Sequence, residues 1–256
     1  AGLRLHYRQH GPPRVSVRYA AGGLGARPSR AGQRELGGAL TAADLQWWCS
    51  ARGVSWSWDW QPYPGVWIFV GSLAAGYWRV TRAQTSAARR LAGITGLLCV
   101  WVALDWPVGA LGTGYLASVH AVQFLLLGMV APPLLLLGVP ASALVALGRK
   151  RALHGLVSVL TNPLHTMVAF TTVMVATHTP AVVDGLMVSQ LGAFVLDFAW
   201  LASGLAFWWP VVCSVPERPR FGPPLHMLYL FLGTIAHQFI GMWLMLAEFP
   251  VYRVYE

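Results

Sequence analysis

The chain has 256 residues, 56% of them hydrophobic and 11% charged. Ordinary soluble domains carry about 25% charged residues, so this composition cannot clothe a water-soluble sphere, and it excludes a soluble globular enzyme. The net charge is +9, from 18 basic and 9 acidic side chains; on a membrane protein such an excess serves cytoplasmic loops and lipid headgroups rather than nucleic acid.

Residues 1–40 are polar and rich in arginine and glycine, without the apolar core of a secretory signal. Residues 1–55 are expected to form a basic extension, with eight arginines against Glu35 and Asp44. Arg4, Arg8, Arg14 and Arg18 are candidates for contact with an acidic partner surface or anionic headgroups, because guanidinium pairs bidentately with carboxylate and phosphate. Trp47 and Trp48, followed by Trp56, Trp58 and Trp60, are expected to lie along the outer membrane interface, where tryptophan concentrates; the alternative is a tail folded back over this chain's own loops. Cys49, Cys99 and Cys213 are odd in number and form no Cys-x-x-Cys, so they predict neither a disulfide framework nor a thiolate metal motif.

Residues 56–256 read as a transmembrane helical domain. A helix needs about 17–25 mainly apolar residues to cross the hydrocarbon core. Six segments qualify: 64–80, 91–108, 114–138, 162–183, 188–213 and 224–247. The expected fold is therefore all-α, a polytopic bundle of six transmembrane helices, with Pro132-Pro133 as the main internal kink. Basic residues fall between helices one and two, three and four, and five and six, while the other two loops contain none. The positive-inside rule then puts those loops in the cytoplasm and both termini on the non-cytoplasmic side.

Ionisable groups within spans are costly and usually face a protein interior or cavity. This topology brings Asp105, His120, His178, Asp197 and His237 into roughly the outer 15 Å of the bundle, at 1.5 Å rise per residue. Imidazole and carboxylate at that depth could bind copper or zinc, or relay protons. The structural alternative is that each side chain satisfies a backbone carbonyl or locks two helices together. Two intramembrane histidines on facing helices could also ligate a heme. Met129, Met174, Met187, Met242 and Met245 read as packing residues, with soft copper ligation as their alternative.

Six pieces of sequence, in order, resemble the CtaG assembly factors of caa-type cytochrome c oxidases. They are Trp58 to Trp67; Ser118-Val119-His120 with Gln123 to Leu127; Ala131-Pro132-Pro133 through Pro140; His178-Thr179-Pro180; Phe207-Trp208-Trp209-Pro210 with Leu228 to Phe231; and Pro250 to Tyr255. The resemblance covers about residues 56–256. It implies a non-catalytic protein of the bacterial inner membrane, in contact with lipids and with subunits of a heme–copper oxidase, acting in assembly or copper insertion. The family's motif histidines are replaced here by Tyr63, Phe124, Ala193 and Asp197. His120 and His178 remain as implied copper ligands, with Asp197 and His237 to complete the set. Those losses leave a second expectation: a permanent structural subunit of a respiratory or photosynthetic complex that has lost its metal site.

Overall fold

The computed structural model describes residues 46–82, 86–148, 154–212 and 222–255. Arg4, Arg8, Arg14 and Arg18 lie outside the described residues, as does Cys213. The chain from Leu45 to Glu256 forms one compact unit.

Proline and capping chemistry set where the helices begin. Helix α1 (Pro64–Thr81) and α8 (Pro163–Thr177) start with proline in the first turn, where its missing N–H costs nothing. Asn162 caps α8 by accepting from the N–H groups of Leu164 and His165, and Ser86 caps α2 (Ala87–Leu104) at the N–H of Arg89. Short helices follow where glycine and proline interrupt the apolar runs: α3 (Val108–Gly114), α6 (Ala141–Gly148), α7 (His154–Leu160) and α9 (Pro180–Leu186).

The segment expected at 114–138 is α4 (Ala117–Leu125), a π-helical turn (Leu126–Val130) and α5 (Ala131–Gly138). Pro132 and Pro133 have no N–H to donate, and the wider turn just before them absorbs the misfit. Helix α10 (Gln190–Val212) crosses that turn in direct backbone contact: a Cβ on Gly204 would sit 2.5 Å from the Gly128 carbonyl oxygen. Along α10, Ala193, Leu196, Asp197, Trp200, Leu201, Gly204 and Phe207 are all buried. Their spacing of three and four residues is one inward stripe of a helix, and it supplies the spine of the core.

Among the described residues, four helices are long and apolar enough to cross a membrane: α2, the α4–α5 run (Ala117–Gly138), α10 and α11 (Pro223–Leu246). The pair α8 and α9 counts as a fifth if its 73° bend is one broken span. The expected count of six is thus not reached on length and composition. Helix α1 has the length, at 18 residues, but Trp67, Tyr77, Trp78 and Arg79 dilute its hydropathy. The segment expected at 162–183 breaks at His178-Thr179 because Thr179 precedes Pro180 and is extended, at φ −75° and ψ 139°.

Residues 46–55 do not behave as part of an extension. Trp48 and Cys49 are each 1% exposed and belong to the main core. The Ala51 N–H donates to the Met187 carbonyl at 2.8 Å, and the Gln190 side chain accepts from the Trp47 N–H at 2.7 Å. The expectation that Trp48 contacts lipid or a partner is therefore corrected. Its indole N–H donates to Asp197 at 2.8 Å, and a buried carboxylate claims a donor more strongly than an interface does. Trp47 keeps 36% of its surface and packs on Phe194, while Trp58 and Trp60 are exposed.

A histidine-lined candidate functional site

One end of the bundle gathers residues 46–63, α3, the α8–α9 break and the segment after α11. Just inside it, α4, α8, α11 and that last segment line an open-sided cavity of about 610 Å³. His120, His178 and His237 all line it, together with Phe124, Met174, Met245, Tyr252 and Tyr255.

Each histidine is held differently. His120, one turn into α4, is 4% exposed, and neither ring nitrogen has a hydrogen-bond partner. Its ring meets Trp200 edge-on at 4.9 Å. His178 stands where α8 ends, and its Nδ1 lies 2.8 Å from the Met174 carbonyl oxygen. His237 repeats that pattern on α11, with Nδ1 3.0 Å from the Gly233 carbonyl and Nε2 buried without a partner. A carbonyl can only accept, so in both rings Nδ1 carries the proton and Nε2 is left as a bare lone pair. The backbone thus sets the tautomer that ligates through Nε2.

Phe124 stands among these rings, with centroids 4.9 Å from His178 and 5.4 Å from His237. Trp200 closes the other side of Phe124 at 5.3 Å, and its indole N–H donates to Thr177 at 2.8 Å. Among the described residues, no group of three or more His, Cys, Asp or Glu is close enough together to hold a metal ion.

Asp197 occupies a neighbouring but separate place. It does not line the cavity; its carboxylate accepts from Trp48 at 2.8 Å and from the Gln123 amide at 3.1 Å. Asp105 is likewise engaged, accepting from the indoles of Trp67 and Trp101 at 3.0 and 2.6 Å. Of the four metal candidates read from the sequence, the fold brings three histidines to one cavity and seats Asp197 behind Gln123. Of the methionines, Met174 and Met245 line the cavity, while Met187 is in the core.

The sequence reading missed Trp200, Tyr252 and Tyr255. The last two sit in the Pro250 to Tyr255 motif, where two Val-Tyr pairs either side of Arg253 were the available signal. Among groups beyond the spans, burial and the nearby Asp197 charge push the Cys49 thiol well above its ordinary range. Burial, with Asp184 nearby, pushes the Tyr252 phenol up to about 12, so it remains a neutral donor.

A family model for the cytochrome c oxidase caa3 assembly factor matches residues 72–256. The match includes all three cavity histidines and begins inside α1, after the Trp58 to Trp67 motif. Neither the curated proteins nor the solved structures yield a match. With most of its length matched, the chain belongs to the Caa3_CtaG family of cytochrome c oxidase assembly factors.

Proposed function

We propose that this protein assists the assembly of a heme–copper oxidase from within a bacterial inner membrane, and that the histidine cavity receives copper as cargo on its way to the oxidase. The observation that carries this reading is the set of unsatisfied imidazole nitrogens. A buried polar atom left without a partner costs about 1–3 kcal/mol. A protein whose cavity served packing alone would gain by replacing His120 with an apolar residue. Bare Nε2 lone pairs on His178 and His237, with the Met174 thioether beside them, form a donor set suited to Cu(I). Phe124 limits how many of these donors one ion could engage, which favours a weak, transient hold over a resident cofactor.

The role is carriage and positioning rather than turnover. Arg79, Arg82, Arg89 and Arg90 cluster at the end opposite the cavity, so by the positive-inside rule the cavity faces the non-cytoplasmic side. The exposed apolar side chains of α11, such as Phe231, Phe239 and Met242, contact lipid or an oxidase subunit. Metal analysis of the full chain loaded with Cu(I) tests the reading. We expect copper to be retained by the natural sequence and lost in a His120→Ala, His178→Ala double variant. Equal copper in the two proteins would refute it.

A further inference from the structure

Helix α11 ends at Leu246, and Ala247 is extended, at φ −69° and ψ 123°. The chain then turns back over the cavity, where Pro250, Val251, Tyr252 and Tyr255 form part of the wall. Three hydrogen bonds pin this segment to three other elements. The Tyr252 hydroxyl donates to the carbonyl of His178 at 3.0 Å, and the Val254 N–H donates to Asp184 on α9 at 3.2 Å. The Tyr255 hydroxyl donates to the Gly112 carbonyl on α3 at 2.6 Å. Tyr252 is 5% exposed, and the Tyr255 ring lies 6.3 Å from His120.

The flank of the cavity between α4 and α11 is different. Ala121, Leu125, Gly241 and Met245 line it and are exposed; this face meets hydrocarbon, which a bare cation does not cross. Entry from the aqueous phase therefore leads between the start of α4, where Ala117 and Ser118 line the rim, and the returning segment. Its fastenings are two hydrogen bonds between neutral groups and one to the Asp184 carboxylate, with no disulfide and no ion pair involving Arg253 among the described contacts. Tyr252 sits in the main core with Val251, Val254 and Tyr255 packed against it, so lifting the segment costs this apolar contact as well as the three bonds. The segment comprises only six residues at the end of the described chain, and no helix has to break for it to move.

We propose that residues 250–255 are a lid on the histidine cavity, latched by the Tyr252 and Tyr255 hydroxyls, and that a cation from the aqueous phase reaches His120 and His178 only when the lid lifts. The identity of the cation rests on the copper reading above; the lid does not. Tyr252 also acts as a positioning residue, because its hydroxyl holds the backbone of His178 at the break between α8 and α9.

The test uses the full chain in liposomes, with Met174→Cys as a reporter inside the cavity and no metal present. Modification of residue 174 is followed by mass spectrometry, with a permanently charged methanethiosulfonate and, separately, a lipid-soluble maleimide. Each hydroxyl removed should raise the open fraction about 5-fold, and both together about 30-fold. We expect the Tyr252→Phe, Tyr255→Phe double variant to react about 30-fold faster with the charged reagent and at an unchanged rate with the maleimide. An unchanged rate with the charged reagent overturns the lid. Equal acceleration of both reagents also overturns it, since that marks general loosening. If the double variant is not monodisperse, Tyr255→Phe alone carries the test, with about 5-fold expected and no change refuting. A protein that binds no copper can still pass, so the two readings fail separately.

Discussion

Trp48 offers a sharp test of how the end of the bundle is built. Replacing it with phenylalanine keeps an aromatic ring against Phe194 and Phe69, at 4.9 and 5.7 Å, but removes the indole N–H that reaches Asp197 at 2.8 Å. Asp197 then keeps only the Gln123 amide. A hydrogen bond to a charged group contributes about 1.5–3 kcal/mol, and a buried acceptor left unpaired adds to the loss. The smaller ring leaves a void as well, so the total expected cost is about 3–4 kcal/mol. The assay is thermal unfolding in detergent, run as a cycle with Asp197→Asn. The paired substitution should cost less than the sum of the single ones by about 1–2 kcal/mol, because both single changes break one interaction. A tryptophan lying in the membrane interface would give a much smaller single effect and strict additivity. That result would refute the placement of Trp48 in the core.

Two further outcomes follow from the same contacts. Phe124→His puts an imidazole where Phe124 now separates His178 from His237, so Cu(I) affinity measured by chelator competition should rise at least about tenfold; unchanged affinity would show that the three rings do not act on one ion. Alkali should destabilise the fold. The Cys49 thiol and the Tyr252 phenol are buried in protonated form, with ordinary values of 9.0 and 10.0. Above those values the unfolded chain releases protons that the folded one keeps, so stability falls as pH rises from about 9 towards 12. Thermal midpoints between pH 7 and 11 check this, and Cys49→Ala should flatten the first part of the decline; a pH-independent midpoint in the natural sequence would contradict it.

Much of the membrane character was legible because composition and apolar run length are properties of the chain itself. A helix in hydrocarbon must satisfy its own backbone, so long apolar runs announce helices, and α2, α10 and α11 fall close to where the runs predicted them. The family resemblance was also carried by local motifs. Counting spans was less secure. Helix α1 mixes tryptophan, tyrosine and arginine into a span-length segment, and the bend between α8 and α9 turns on the single residue Thr179 before Pro180.

The histidines show the same division. Topology and helical rise put Asp105, His120, His178, Asp197 and His237 in one outer layer; in the fold the three histidines line one cavity and the two aspartates do not. Depth is one coordinate; which way a side chain points around a helix, and what stands beside it, depends on how the helices pack. Only packing set Phe124 among the rings, turned Asp197 toward Trp48 and Gln123, and folded Tyr252 and Tyr255 back over the cavity. Trp48 makes the reason plain. Its neighbours in sequence are those of an interfacial tryptophan, whereas its partner Asp197 is 149 residues away, and no local pattern encodes a contact across that distance.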